Sequence, residues 1–170
     1  MLAFDLLVLA VAAERLAELV VSSRHVRWAF AHGGVETGRA HYPPMVLLHT
    51  GLLVACVVEV HAARRSFVPL LGWLALAAVL GSQGMRWWCI RTLGPQWNTR
   101  VIVVPGLPLV DRGPYRWLRH PNYLAVVIEG IALPLVHTAW LTAAVFTGLN
   151  AVLLLRFRIP AEERALVWVT

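Results

Sequence analysis

The chain has 170 residues, of which 59% are hydrophobic and only 14% charged, whereas a soluble domain carries roughly a quarter charged residues. That composition excludes a water-soluble globule and predicts one integral membrane domain over residues 1–170. The formal charge of +6 comes from arginine, lysine being absent; with no nucleic-acid motif beside it, it predicts contact with anionic membrane lipids and no nucleic-acid partner.

A bilayer-spanning helix takes about 20 mostly apolar residues, and five stretches qualify, at about 2–22, 43–61, 67–90, 122–136 and a last at 138–157, the fourth being short. The fold class expected is therefore all-α, an integral membrane bundle of about five transmembrane helices with a long cytoplasmic loop and a short C-terminal helix. The first stretch has no basic leader and no small-residue cleavage site, which predicts a retained helix and not a signal peptide. It carries Glu14, Arg15 and Glu18. Carboxylates inside a membrane are costly and default to functional candidates; the plainer alternative is that they pair with arginines and hold helices together. Ser22 and Ser23 are expected to end this helix, leaving a cytoplasmic loop of about twenty residues up to Pro43.

"HYPPMVLLH" opens the second helix with His41 and His49, and Glu59 and His61 follow toward its far end. H-E-x-x-H is absent and these groups lie at different depths, so no metal is predicted. Cys56 and Cys89 sit in separate apolar stretches and read as small buried hydrophobes. "GSQG" at 81–84 falls mid-helix, where small residues permit close helix packing. With five alternating helices, Arg64 and Arg65 face one side and the other thirteen arginines, Arg15 within helix one apart, flank the opposite one. By the positive-inside rule the arginine-rich side is cytoplasmic.

The longest polar-containing segment, from Met85 to Tyr123, holds four of the eight tryptophans and a valine-rich run, a composition that predicts order. Within it, "RGPYRWLRHPNY" reads in part as an interfacial anchor, with Trp117 at headgroup level and Arg112 and Arg116 reaching phosphates. His120-Pro121 asks for more. Proline suits the first position of helix four and leaves orphan backbone N–H groups beside His120, an arrangement that favours anions. Glu129, six residues after Tyr123 in the same apolar stretch, is a further candidate to support a site. At the end of helix five, "RFRIPAEERAL" sets Arg158 four residues before Glu162, with Glu163 adjacent; alone, this reads as a solvated pair on a surface helix.

Taken together, "GPYRWLRHPNY", a helical hairpin and "RIPAEERAL" resemble the isoprenylcysteine carboxyl methyltransferase family of integral membrane methyltransferases. "HYPPMVLLH" and "LGPQWNTRVIVVPG" resemble its bacterial branch associated with type III polyketide synthases. The resemblance implies S-adenosyl-L-methionine as cofactor, held within about residues 92–170 by Leu107, Pro108, Leu109, Val110, Tyr115, His120, Pro121, Asn122, Tyr123 and Glu162. It implies that Arg158 faces the acceptor. The cofactor's carboxylate would meet N–H groups at His120 and Tyr123, its cationic part Glu162 or Tyr115, and its adenine Leu109 and Val110.

The function expected is O-methylation of a lipophilic acceptor reached from the bilayer, a long-chain phenolic or pyrone polyketide lipid, in a bacterial inner membrane with the cofactor site facing the cytoplasm. A type III polyketide pathway is the expected partner. A phenol needs a base within hydrogen-bond reach, for which His49 is the first candidate and His41 the second. The alternatives are carboxyl methylation of a prenylated cysteine, for which the chain is shorter than eukaryotic members, and a scaffold without catalysis.

Overall fold

The computed structural model describes residues 1–167. In chain order it holds α1 (Leu2–Ala31), a short strand β1 (Val35–Thr37), α2 (Tyr42–Ala62), α3 (Pro69–Leu93), β2 (Val101–Val103), a 3-10 turn (Gly113–Arg116), α4 (Pro121–Leu135), α5 (Trp140–Leu153), a π-helical turn (Leu154–Arg158) and α6 (Ile159–Val167). The chain is mostly helical, as expected. Two stretches, Arg39–Ala62 and Trp140–Val167, are long and apolar enough to cross a bilayer.

The distribution of residues is inverted relative to a soluble protein. Leu6, Leu9, Leu16, Leu47, Val54, Leu70, Leu74, Leu80, Leu141 and Leu149 stand on the outside, while Glu18, Arg86, Glu129, Asn150 and Arg158 are buried. Water would penalise both halves of that arrangement; a hydrocarbon surround favours the first and directs ionisable groups inward.

One half of the bundle is a dry core. The start of α1 (Phe4, Val8, Val11), the end of α2 (Cys56, Val60), the first half of α3 (Ala75, Val79), the end of α4 (Leu133, Val136) and Phe146 of α5 pack together there. Their common end is closed by Glu59. Its carboxylate accepts from the N–H of Leu141 at 3.3 Å and of Thr142 at 2.7 Å, and from the Thr142 hydroxyl at 2.8 Å, satisfying orphan donors at the start of α5. α4 and α5 lie close because Gly130 takes the Phe146 ring where any larger residue would overlap it. The α4–α5 hairpin turns at Thr138, whose φ is +53° and whose hydroxyl donates to the Ser66 carbonyl at 2.9 Å.

Three boundaries differ from the sequence expectation. α1 does not end at Ser22 and Ser23 but runs 30 residues to Ala31, about 45 Å of helix. Ser23 bonds back to the Val20 carbonyl, and Ser22 is taken up by Thr99, so neither hydroxyl breaks the helix; Gly33, at φ +79°, does. The expected loop after it pairs instead with the long segment, Val35 opposite Val103, Glu36 opposite Ile102 and Thr37 opposite Val101, antiparallel. The small sheet adds to an otherwise all-helical chain. Lastly, the fifth helix, expected to run to 157, ends as a regular α-helix at Leu153 and passes through the π turn into α6.

Candidate functional site

The other half of the bundle is hollow. A cavity of about 860 Å³ runs from the inner faces of α1, α2, α3 and α5 to β2, the long loop and α6. Its size suits a small-molecule ligand, for which pockets of roughly 300–1,000 Å³ are usual. The mouth is fixed from below by α1: the Ser22 hydroxyl accepts from the Thr99 N–H at 3.0 Å and meets the Thr99 hydroxyl at 2.8 Å, and His25 Nδ1 meets the Trp97 carbonyl at 2.8 Å. Glu36 pairs with Arg100 at 2.9 Å, and that guanidinium lies 5.6 Å from the Tyr42 ring centre.

These anchors present the Thr99 carbonyl to Arg158, which donates to it from Nη2 at 2.9 Å. Arg158 is buried, and its Nε has no hydrogen-bond partner. The π turn aims it: π turns insert an extra residue and recur at functional sites. It also separates Arg158 from the simple surface pair with Glu162 that spacing alone allows. Glu162 instead accepts a hydrogen bond from the Tyr123 hydroxyl and lies 3.5 Å from His120 Nδ1, while His120 Nε2 lies 3.5 Å from Glu163. The His120 and Tyr123 rings are stacked at 5.4 Å. A carboxylate, an imidazole, a phenol and a guanidinium from the loop, α4, the π turn and α6 thus converge on one wall. The Glu162 carboxylate holds the His120 pKa above its usual value against the opposing effect of burial, and Glu163 adds to the rise.

Tyr115 reaches the cavity from the 3-10 turn, where Gly113, at φ +58°, sits so close to Thr92 and Trp88 of α3 that no side chain fits. Burial raises the Tyr115 phenol, with Cys89 and Glu162 adding to the shift, so it stays neutral and serves as a hydrogen-bonding group.

Of the residues expected from sequence, Leu107, Leu109, Val110, Tyr115, His120, Asn122, Tyr123, Glu162, Arg158 and His49 all line this cavity. Pro108 is exposed and Pro121 is buried as the first residue of α4; neither lines it. His41 is also absent from the lining; its ring lies 5.0 Å from Phe157. One expected contact is corrected. The Tyr123 N–H is not open to an anion, because it donates to the His120 carbonyl at 3.1 Å in the first turn of α4.

The far end of the cavity is built from ionisable groups. Arg15 bonds Glu18 at 2.6 Å, Glu129 at 2.5 Å and the Gln83 side-chain oxygen at 2.8 Å. Arg86 Nε approaches Glu18 at 2.7 Å as an ion pair without hydrogen-bond alignment, and Trp87 donates to Glu14 at 2.6 Å. Arg15, Glu18 and Arg86 line the cavity, with Glu129 behind Arg15. The carboxylates of α1 therefore both join helices and form part of the wall. Beside them His49 meets the Met45 carbonyl through Nδ1 at 2.8 Å and the Phe146 ring edge-on. A carbonyl only accepts, so Nδ1 carries the proton and Nε2 keeps a lone pair.

Residues 73–168 match the isoprenylcysteine carboxyl methyltransferase (ICMT) family. The chain belongs to that family. It is therefore a membrane methyltransferase, and the wall of Tyr115, His120, Tyr123, Arg158 and Glu162 lies wholly inside the matched stretch. Similarity extends further than the family match: the chain is 38% identical over 164 residues to the uncharacterized protein YpbQ of Bacillus subtilis (strain 168), covering 96% of each. It is 28% identical over 168 residues to an uncharacterized protein of Haemophilus influenzae, covering 98% of this chain and 96% of the other.

Sequence reasoning missed Asn150, Thr50 and Arg119 on the cavity wall, and the β2 strand Val101–Val103 that forms one side of it. Asn150 had a signal, as an amide amid the apolar run "WLTAAVFTGLNAVLLL"; a search restricted to charged groups passes over it. Among the described residues, no three His, Cys, Asp or Glu side chains could together hold a metal ion.

Proposed function

We propose that this chain is an S-adenosylmethionine-dependent O-methyltransferase acting on a hydroxyl of a lipophilic acceptor, a long-chain phenolic or pyrone lipid. The observation that carries the reading is the single cavity with two chemically distinct ends, the Glu162 wall toward the arginine-rich loops and the His49 wall inside the bundle. The donor set of the first end fits the cofactor. Glu162 and the partnerless buried Asn122 Oδ1 suit a cationic amino acid head, Arg119 suits its carboxylate, and Leu107, Leu109 and Val110 suit an adenine face. When bound, S-adenosylmethionine supplies a methyl group activated by a positive sulfur.

The chain's own residues then have limited but specific tasks. Tyr123 and His120 hold Glu162 in place, and Thr99 holds Arg158. Holding methyl donor and acceptor in line is worth about 7–11 kcal/mol at most. His49 Nε2 accepts the acceptor's hydroxyl proton, its opposite nitrogen being fixed on Met45. The reading further places five helices across a bacterial inner membrane, with β1, β2 and the long loop on the cytoplasmic side, where Arg24, Arg27, Arg39, Arg100, Arg112, Arg116 and Arg119 cluster. A type III polyketide pathway is a fitting source of the acceptor.

A second reading, carboxyl methylation of a prenylated cysteine, is favoured by the partnerless Nε of Arg158, which suits a carboxylate acceptor. Labelled methyl transfer by purified protein in lipid separates the two, with an alkylresorcinol, an alkylpyrone and a farnesylated cysteine offered in parallel. Label on the phenol or pyrone alone is the expected result. Label on the prenylcysteine alone would replace the first reading by the second.

A further inference from the structure

The cavity wall holds a buried polar group without a partner. Asn150 is 2% exposed, lines the cavity, and its Oδ1 has no hydrogen-bond partner. An orphaned amide oxygen in an apolar helix is costly, of the order of 1–3 kcal/mol, and such a group points to a ligand that completes it. Asn150 lies four residues after Phe146, whose ring touches His49. Four residues is about one helical turn, ~5.4 Å along α5. Two hydrogen-bonding groups, His49 of α2 and Asn150 of α5, therefore line the same cavity, with the Phe146 ring one turn before Asn150 in contact with His49.

Building on the O-methylation reading, we infer that Asn150 binds a second, non-reacting hydroxyl of the acceptor while His49 receives the reacting one, so that Asn150 makes the site discriminate dihydroxy from monohydroxy aromatic lipids. A hydroxyl both donates and accepts, so it satisfies the Asn150 amide in either orientation, whereas a carboxylate only accepts. The surrounding charge agrees. Arg15, Arg86, Glu18 and Glu129 are formally two cations and two anions already joined in one cluster, which leaves no surplus cation there for an anionic acceptor. Apolar Leu19, Met45, Val46 and Leu53 line the adjacent wall and receive the alkyl chain.

The test compares a 5-alkylresorcinol with a 3-alkylphenol of equal chain length, as substrates of the wild type and of Asn150→Leu, with cofactor affinity measured in parallel. Wild type is expected to prefer the resorcinol by about tenfold in kcat/KM, the value of one well-made hydrogen bond. Asn150→Leu is expected to lose that preference through a fall on the resorcinol alone, with the phenol and cofactor affinity unchanged. The ratio of two substrates on one preparation does not depend on how much protein is folded, and Asn150→Ser, a smaller change, is read the same way if the leucine variant fails to fold. A variant that keeps the preference, or loses both substrates equally, overturns the role of Asn150 while leaving O-methylation standing. A wild type that labels neither phenol but labels farnesylated cysteine overturns both.

Discussion

At the scale of single residues, His120 shows how the wall is held. Its pKa is raised because the Glu162 carboxylate sits beside Nδ1 and Glu163 beside Nε2. The folded value thus lies above the usual value of about 6.5, so the imidazolium's contribution is complete below pH 6.5 and is lost as pH rises through the raised value. Because Glu163 is half exposed, the pair is screened and the effect is small. Thermal unfolding of the cofactor-free protein is expected to show a Tm about 1–4 °C lower at pH 9 than at pH 6, and His120→Gln should remove the difference. An equal pH dependence in the variant would assign it to other groups. The stacking of His120 on Tyr123 was not legible in the sequence; only their place at the start of a helix was, through Pro121.

At the scale of elements, the helices were legible because apolar runs of that length have few other solutions, whereas their ends depended on contacts between distant parts of the chain. Ser22 looked like a helix stop and is instead the bracket for Thr99, 77 residues away. The strand Val101–Val103 was seen as a valine-rich run but not as a strand, since its partner, Val35–Thr37, is only three residues long. The hairpin of α4 and α5 carries the clearest prediction at this scale. A methyl group on residue 130 would overlap the Phe146 ring, and overpacking of this kind typically costs about 1–3 kcal/mol. Gly130→Ala is expected to lower Tm by roughly 3–10 °C. Adding Phe146→Leu should recover part of that loss, since contacting residues couple; a double variant no better than the sum of the single ones would place the strain elsewhere.

At the scale of the whole molecule, one bundle is divided into a packed half and a hollow half. The packed half, around Phe4, Val60 and Leu133, gives rigidity, and the hollow half is walled by side chains from α1, α2, α3, α4 and α5, by β2 and by α6. Composition pointed to the membrane setting, and Tyr115, His120, Asn122, Tyr123, Arg158 and Glu162, named from the sequence, lie together at one end of the cavity. Of the other end only His49 was named from the sequence, because the Arg15, Glu18, Arg86 and Glu129 cluster is joined only when α1, α3 and α4 meet. The account rests centrally on the cofactor lying against Glu162. Calorimetric titration of S-adenosylmethionine into the purified protein in lipid nanodiscs tests this directly. The account predicts one site per chain, competed by S-adenosylhomocysteine and weakened at least about tenfold by Glu162→Gln, the loss of one charge-assisted contact; no binding, or binding indifferent to Glu162, would contradict it.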